Sequence, residues 1–232
     1  MPIDTWFPLA IYYEDLFQAE KHKDRLLKAV EELRSEVGKR TSKEAAWTGD
    51  LHGAECIHLD PLFSWITEEV EDHTWKYLAA LGYDTEKIDL YFQRSWPVVS
   101  GHGQYVAEHA HFMSHLSAVY YIDSPLDGDS GCVQFKNISR QNDLTQGLAM
   151  PMADCLSTHN ELNSKEALYE PREGRLLIFP SKQIHSTGCN TTRAERVSLA
   201  FDMVLTAPMN GENGRYNFLP PGPHKWRRLK RD

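Results

Sequence analysis

The sequence predicts a mainly β domain with flanking helices, and three observations predict it. Residues 14–39 and 60–82 carry apolar side chains at three- and four-residue steps. After Gly82 the chain breaks into short β-branched and aromatic runs separated by Gly, Pro, Asp and Ser clusters. The 232-residue length suits one substantial domain. Helices first and strands afterwards is the order expected of a β-sandwich or barrel with the N-terminal helices packed outside.

The first helix places Leu26, Val30, Leu33 and Val37 on a stripe otherwise flanked by Lys, Glu and Arg, with Gly38 as its stop. Asp60-Pro61 opens the second, with Leu62, Ile66 and Val70 on one face and an end near Gly82. Residues 41–53 read as a polar connector. The strand runs are "IDLYFQRSWPVV", "LSAVYYI", "CVQFKN", "GRLLIFP" and "RVSLAFDMVL". Residues 139–173 show no strand period and exceed the usual connection length, which marks a functional loop or lid. The chain then divides as one domain, 1–232: helical support over about 14–82, a β core over about 88–206, the lid-like insertion 139–173 within it, and a basic tail, 220–232.

Composition excludes several classes. At 41 % apolar and 25 % charged residues the chain is that of a globular protein. No apolar run approaches the roughly 20 residues of a membrane span. The start "MPIDTWFPLAIYYEDLF" lacks the basic patch and apolar core of a signal peptide, so a cytoplasmic location is expected. The four cysteines are scattered without a CxxC pair, which argues for free, buried thiols. A net charge of −8 argues against nucleic acid as a partner. The C-terminal "HKWRRLKRD" is read as a solvated tail, with an acidic partner or a second subunit as the other reading; a homodimer is compatible with the sequence.

The chemistry concentrates in "EHAHFMSHLSAVYY", residues 108–121. In an extended segment residues i and i+2 project to the same side, so His109 and His111 can address one ion. Imidazole suits iron, zinc, copper and nickel. A third ligand must come from elsewhere, and His185 in "GRLLIFPSKQIHSTGCNTTRAERVSLAFD" is the best candidate. His22, His52, His58, His73, His159 and His224 read as ordinary polar or half-buried side chains. Eleven residues beyond His185, Arg196 begins a strand on which Ser198, Ala200 and Asp202 share its face. An arginine turned into a barrel is costly unless it meets an anion, and its planar fork suits a carboxylate.

The order H-x-(ligand)…H…R-x-S resembles the iron(II)/2-oxoglutarate-dependent oxygenases. Within them the chain is most similar to the prolyl-hydroxylase-like branch, and closest to small 2OG-Fe(II) oxygenases of unassigned substrate. The resemblance rests on "SWPVVSGHGQYVAEHAHFMSHLSAVYYID", "GCVQF" and "GRLLIFPSKQIHSTGCNTTRAERVSLAF", about half of the chain. It implies a double-stranded β-helix (a jelly roll, or cupin-like barrel) and the use of Fe(II), 2-oxoglutarate and O2. It implies iron ligands at His109, His111 and His185, and an arginine for the distal carboxylate of 2-oxoglutarate at Arg196 with Ser198 beside it. It also implies a tyrosine for the same carboxylate at Tyr121, with Ser117 four residues earlier on that face. Tyr120 then faces the core.

Where the family pattern is H-x-D/E, position 111 is histidine. Three explanations stand: a three-histidine site; a carboxylate from elsewhere, Asp202 being the better spare; or an open coordination position, as in halogenating members. The resemblance implies oxidation of a C–H bond with release of succinate and CO2. Trp96, Gln104, Gln134, Asn137 and Asp202 are the candidate substrate walls, and an acid in the pocket suggests a small amino-acid, peptide or natural-product substrate. The methionines of "GLAMPMADCL", residues 147–156, fit an adaptable apolar lid surface. Two other classes stand beside this one: a cupin-like three-histidine dioxygenase or isomerase without 2-oxoglutarate, and a non-catalytic metal-binding jelly roll.

Overall fold

The computed structural model describes residues 2–125, 131–144, 155–209 and 218–229. Strand β1 (Tyr12–Asp15) leads into helix α1 (Ala19–Val37) and the two-residue β2 (Trp47–Thr48); a single-turn 3-10 helix, Pro61–Phe63, runs into helix α2 (Ser64–Ala80). The β core follows as β3 (Asp89–Ser100), β4 (Leu116–Asp123), β5 (Val133–Lys136), β6 (Glu166–Tyr169), β7 (Arg175–Pro180), β8 (His185–Thr187) and β9 (Arg196–Thr206). One sheet has the order β1-β7-β4-β9-β3-β2 and the other β6-β5-β8. Their strand pairs are antiparallel.

Strand alternation divides the interior into two compartments. From β9, Val197, Leu199, Phe201, Met203 and Leu205 join Leu26 and Val30 of α1 and Ile66 and Val70 of α2 in one apolar core. Tyr120 of β4 belongs there too, its ring edge-on to Trp65 at 5.9 Å. Tyr121, one residue on, turns the other way and packs with Leu177 and Phe179 of β7 and Val133 and Phe135 of β5. β7 is therefore apolar on both faces, because helices cover one side and the small sheet the other.

Five predicted strand runs coincide with β3, β4, β5, β7 and β9, while the helices differ in detail. Residues 12–15 are a strand paired with β7 rather than the start of α1. Asp60 caps the 3-10 turn before α2 by accepting from the Leu62 amide at 2.9 Å. Leu62 itself is 42 % exposed, because it lies in that turn and off the buried stripe of Ile66 and Val70. The connector 41–53 contains β2, and Trp47 within it is wholly buried, donating its indole N–H to the Gly38 carbonyl. The expected lid 139–173 contains β6, a four-residue strand too short to show a period, paired with β5. Met150 and Met152 of the expected lid lie outside the described residues. All four cysteines are free, but three are exposed and Cys132 is half-buried, so none is a core thiol. Among the described residues no helix is long and apolar enough to cross a membrane.

Ile66→Ala is expected to cost about 2–5 kcal/mol by opening a cavity between α2 and the sheet. Leu62→Ala should stay within about 0.5 kcal/mol. Denaturant unfolding should show the first as a lowered midpoint at unchanged slope.

Candidate metal centre

Two backbone pairings bring the three histidines together. The His109 amide donates to the His185 carbonyl and the His185 amide donates to the His109 carbonyl, both at 2.9 Å. Two residues on, the His111 amide donates to the Ser181 carbonyl at 2.9 Å. The segment is thus zipped onto the chain between β7 and β8, and period-two alternation turns both imidazoles to the same side. Their ring centroids stand 4.9 Å apart, and those of His109 and His111 lie 4.3 and 5.4 Å from that of His185. One ligand atom from each of the three lies within 4.8 Å of the other two.

Hydrogen bonds settle which nitrogen each ring presents. Nδ1 of His109 faces the Ala107 carbonyl at 2.8 Å, and Nδ1 of His185 faces the Gln183 carbonyl at 2.9 Å. Nδ1 of His111 faces Oδ1 of Asp202 at 2.6 Å. Carbonyl and carboxylate oxygens accept, so Nδ1 carries the proton in each case and Nε2 keeps its lone pair. Burial pushes the His185 pKa down to about 4 and lowers that of His109, which keeps both rings neutral near pH 7. Three clustered imidazoles whose Nδ1–H groups are held by acceptors form a donor set for a divalent first-row metal.

Asp202 lies beneath His111, wholly buried, with both oxygens engaged. Oδ1 also accepts from Ser117 Oγ at 2.8 Å, and Oδ2 accepts from Arg94 Nη2 at 2.7 Å. Burial opposes ionisation of this carboxyl, but the bonds from His111, Ser117 and Arg94 hold its pKa below the ordinary value. Two of these partners follow from sheet register. Ser117 of β4 and Arg94 of β3 are each the direct cross-strand partner of Asp202 on β9. A β-bulge between Phe92 and Arg94 re-aims the strand and brings Arg94 opposite Asp202. Arg94 escaped the sequence reading; its signal was the i, i+2 step to Trp96, whose ring stacks on His111 at 5.7 Å.

A cavity of about 520 Å3 opens over the three imidazoles, a size typical of small-molecule sites. Arg196, Ser198, Tyr121, Ser117 and Trp96 all line it. Ser198 faces Tyr121 across the β9–β4 pairing, and Arg196 lies two residues before it on the same strand. The buried Arg196 guanidinium donates to the Gly131 carbonyl and, at 3.5 Å, to Thr187 Oγ1. Burial lowers its pKa, as it raises that of Tyr121. Apolar side chains make up most of the remaining wall, and Leu51, Phe112 and Met113 form an exposed apolar rim.

The predicted polar walls are corrected. Gln104 spends its amide closing the turn at Gly101 and bonding the Ser42 carbonyl. Gln134 bonds Ser186 and lies off the cavity, because on β5 the odd positions Val133 and Phe135 are the ones turned inward. Asn137 bonds the Ser164 carbonyl and lines a separate surface pocket with Glu108 and Lys136. Asp202, spent on three partners, is not free for a substrate amine. His115 accepts the Leu205 amide at 3.0 Å and ties β9 to the loop.

Residues 94–202, from Arg94 to Asp202, match the family model described as "Putative 2OG-Fe(II) oxygenase". The match spans 109 of the 232 residues, and the family it describes is the iron(II)/2-oxoglutarate-dependent oxygenases. It supports an enzyme that uses Fe(II), 2-oxoglutarate and O2 over the cupin-like reading without 2-oxoglutarate and the non-catalytic one. A comparison with curated protein sequences gives no match. Solved structures give many. The non-heme alpha-ketoglutarate-dependent carbocyclase SnoK of nogalamycin biosynthesis is 14 % identical with a TM-score of 0.55, over 92 % of this chain and 88 % of its own. The collagen prolyl hydroxylase vCPH of Paramecium Bursaria Chlorella virus-1, in its 2OG complex, is 13 % identical with a TM-score of 0.52, over 83 % and 94 %. A prolyl-4-hydroxylase of Pseudomonas putida is 14 % identical with a TM-score of 0.53, over 84 % and 92 %. At such identities the likeness concerns the fold.

Gly131 makes the Arg196 contact possible. Its φ is +85°, and a Cβ there would overlap the Gly188 carbonyl and stand 2.8 Å from Arg196 Nη1. Gly103, at φ +80°, has open space around it. Gly131→Ala is therefore expected to cost more than the roughly 1–2 kcal/mol of backbone strain that Gly103→Ala should show in equilibrium unfolding.

Proposed function

We propose that this chain oxidises a C–H bond of a small, uncharged and largely apolar organic molecule at an iron held by His109, His111 and His185. The observation that carries the proposal is the clustering of three imidazoles, one ligand atom of each within 4.8 Å of the others, in the cavity that also contains the buried Arg196. The two antiparallel sheets fit the double-stranded β-helix expected from the sequence. Iron bound there would supply the oxidising chemistry with 2-oxoglutarate and O2, with succinate and CO2 as the products of the cosubstrate.

The chain's own residues do the rest. Arg196 binds the distal carboxylate of 2-oxoglutarate, where its charge and planar fork make a charge-assisted pair in a dry site. Tyr121 and Ser198 flank that carboxylate from neighbouring strands. Trp96, Val98, Val119 and Phe179 exclude water and leave an apolar space for the substrate. Arg94 stands 2.7 Å from Asp202 and 3.9 Å from Asp50, so these charged groups are held to one another. Asp202 is buried and spent on its partners, and most of the remaining cavity wall is apolar. Among the classes expected from the sequence this favours an apolar natural-product type over a free amino acid.

Anaerobic addition of Fe(II) and 2-oxoglutarate should produce a visible charge-transfer band from bidentate chelation. Its absence at saturating ligand would contradict the proposal. Arg196→Leu should weaken 2-oxoglutarate binding more than tenfold, through loss of a pair worth about 1.5–3 kcal/mol, with iron content unchanged. Succinate release, screened across apolar ring compounds, acyl compounds and free amino acids, should favour the uncharged apolar ones.

A further inference from the structure

We infer that Asp202 supplies negative charge to the metal centre through His111, as a positioning residue one hydrogen bond removed from the ligand ring. The inference rests on the reading of His109, His111 and His185 as ligands. It comes from an asymmetry among the three rings. His109 and His185 donate their Nδ1–H groups to neutral backbone carbonyls. His111 alone of the three donates to a carboxylate, at 2.6 Å. A carboxylate behind an imidazole fixes its orientation and raises the basicity of the opposite nitrogen, so His111 becomes the strongest donor of the three.

The surroundings of Asp202 are arranged to keep that charge in place. The carboxylate is wholly buried, which is costly for an anion unless its oxygens are paired. Ser117 Oγ holds Oδ1 in the position from which it meets His111, and Ser117 is itself bonded to Ser181 at 2.8 Å. Ser181 is the residue whose carbonyl receives the His111 amide, so both ends of His111 are tied to one small network. Arg94 binds the other oxygen, Oδ2, and competes with His111 for the same negative charge. A dication gathering these three imidazoles would thus find its compensating anion across one ring, with no carboxylate among its ligands.

This arrangement gives opposite signs for two neighbouring substitutions. Asp202→Asn removes the charge behind His111 and is expected to weaken Fe(II) binding 10- to 100-fold. Arg94→Met removes the competing cation and should leave Fe(II) affinity unchanged or raise it. If Asp202 served only to pin β3, β9 and β4 together, both substitutions would break the same ion pair and both would weaken binding alike. A double-mutant cycle isolates the route through the ring. In a His111→Asp background, which has no Nδ1–H to receive the charge, Asp202→Asn should change Fe(II) affinity less than threefold.

Fe(II) affinities measured anaerobically, with Co(II) absorption as a second probe, decide the matter. The expected result is a large Asp202→Asn effect with His111 in place, a small one in the His111→Asp background, and no loss on Arg94→Met. Equal Asp202→Asn effects in both backgrounds, or a tenfold loss on Arg94→Met, would overturn the inference. Arg94 is 39 % exposed at its side chain, so its variant carries the test if Asp202→Asn does not fold. Failure of the unaltered protein to bind Fe(II) would instead contradict the proposed function.

Discussion

The pair of amide–carbonyl bonds that His109 and His185 exchange is the constraint on which the site depends. The two residues are far apart in sequence, and their side chains are useful only if their backbones are locked in register. Reciprocal bonding gives the hydrogen-bonded type of antiparallel pair, whose side chains emerge on one face. Once His109 is fixed, His111 follows from strand alternation, and its own bond to Ser181 prevents a slip of one residue. A slip would turn both imidazoles away from His185. The clustering of the three imidazoles is thus a property of the sheet edge rather than of the loop that carries the histidines.

The same economy extends to the rest of the cavity. β9 contributes Arg196, Ser198 and Asp202 to the inner face at alternate positions, while Val197, Leu199, Phe201 and Met203 anchor the strand to the helices. One strand therefore carries the Arg196 guanidinium near one end, the hydrogen-bond partner of His111 near the other, and the apolar load that packs both against the helices. Burial serves function here directly. It keeps His185 neutral, it strengthens every hydrogen bond around Asp202, and it makes the Arg196 charge receptive to a carboxylate.

Much of this was legible in the sequence because the decisive strands alternate clearly. β4 and β9 carry apolar residues on one parity and chemistry on the other, so the inward set is legible from the alternation alone. The short strands were not legible: β6, as "EALY", and β8, only three residues long, carry too few alternations to register. Glu14 and Asp15, the second half of β1, were read into the helix that follows, since "YYED" offers no boundary. Gln134 lies off the cavity because the parity of a four-residue strand does not tell which face meets it, and Asn137 because it falls just past the end of that strand, where it bonds the Ser164 carbonyl. Asp202 was read on the correct face, but its partners come from two other strands, one of them shifted by a bulge, and from the histidine segment. That arrangement depends on three-dimensional register, which a single chain read in order does not contain.

The central claim is that three imidazoles, and no protein carboxylate, hold the iron. X-ray absorption at the iron edge of the anaerobic Fe(II) protein, before cosubstrate is added, tests it most directly. The account predicts outer-sphere scattering from three imidazole rings, with Asp202→Asn leaving the number of rings at three. A spectrum fitted by two rings and a carboxylate would contradict it.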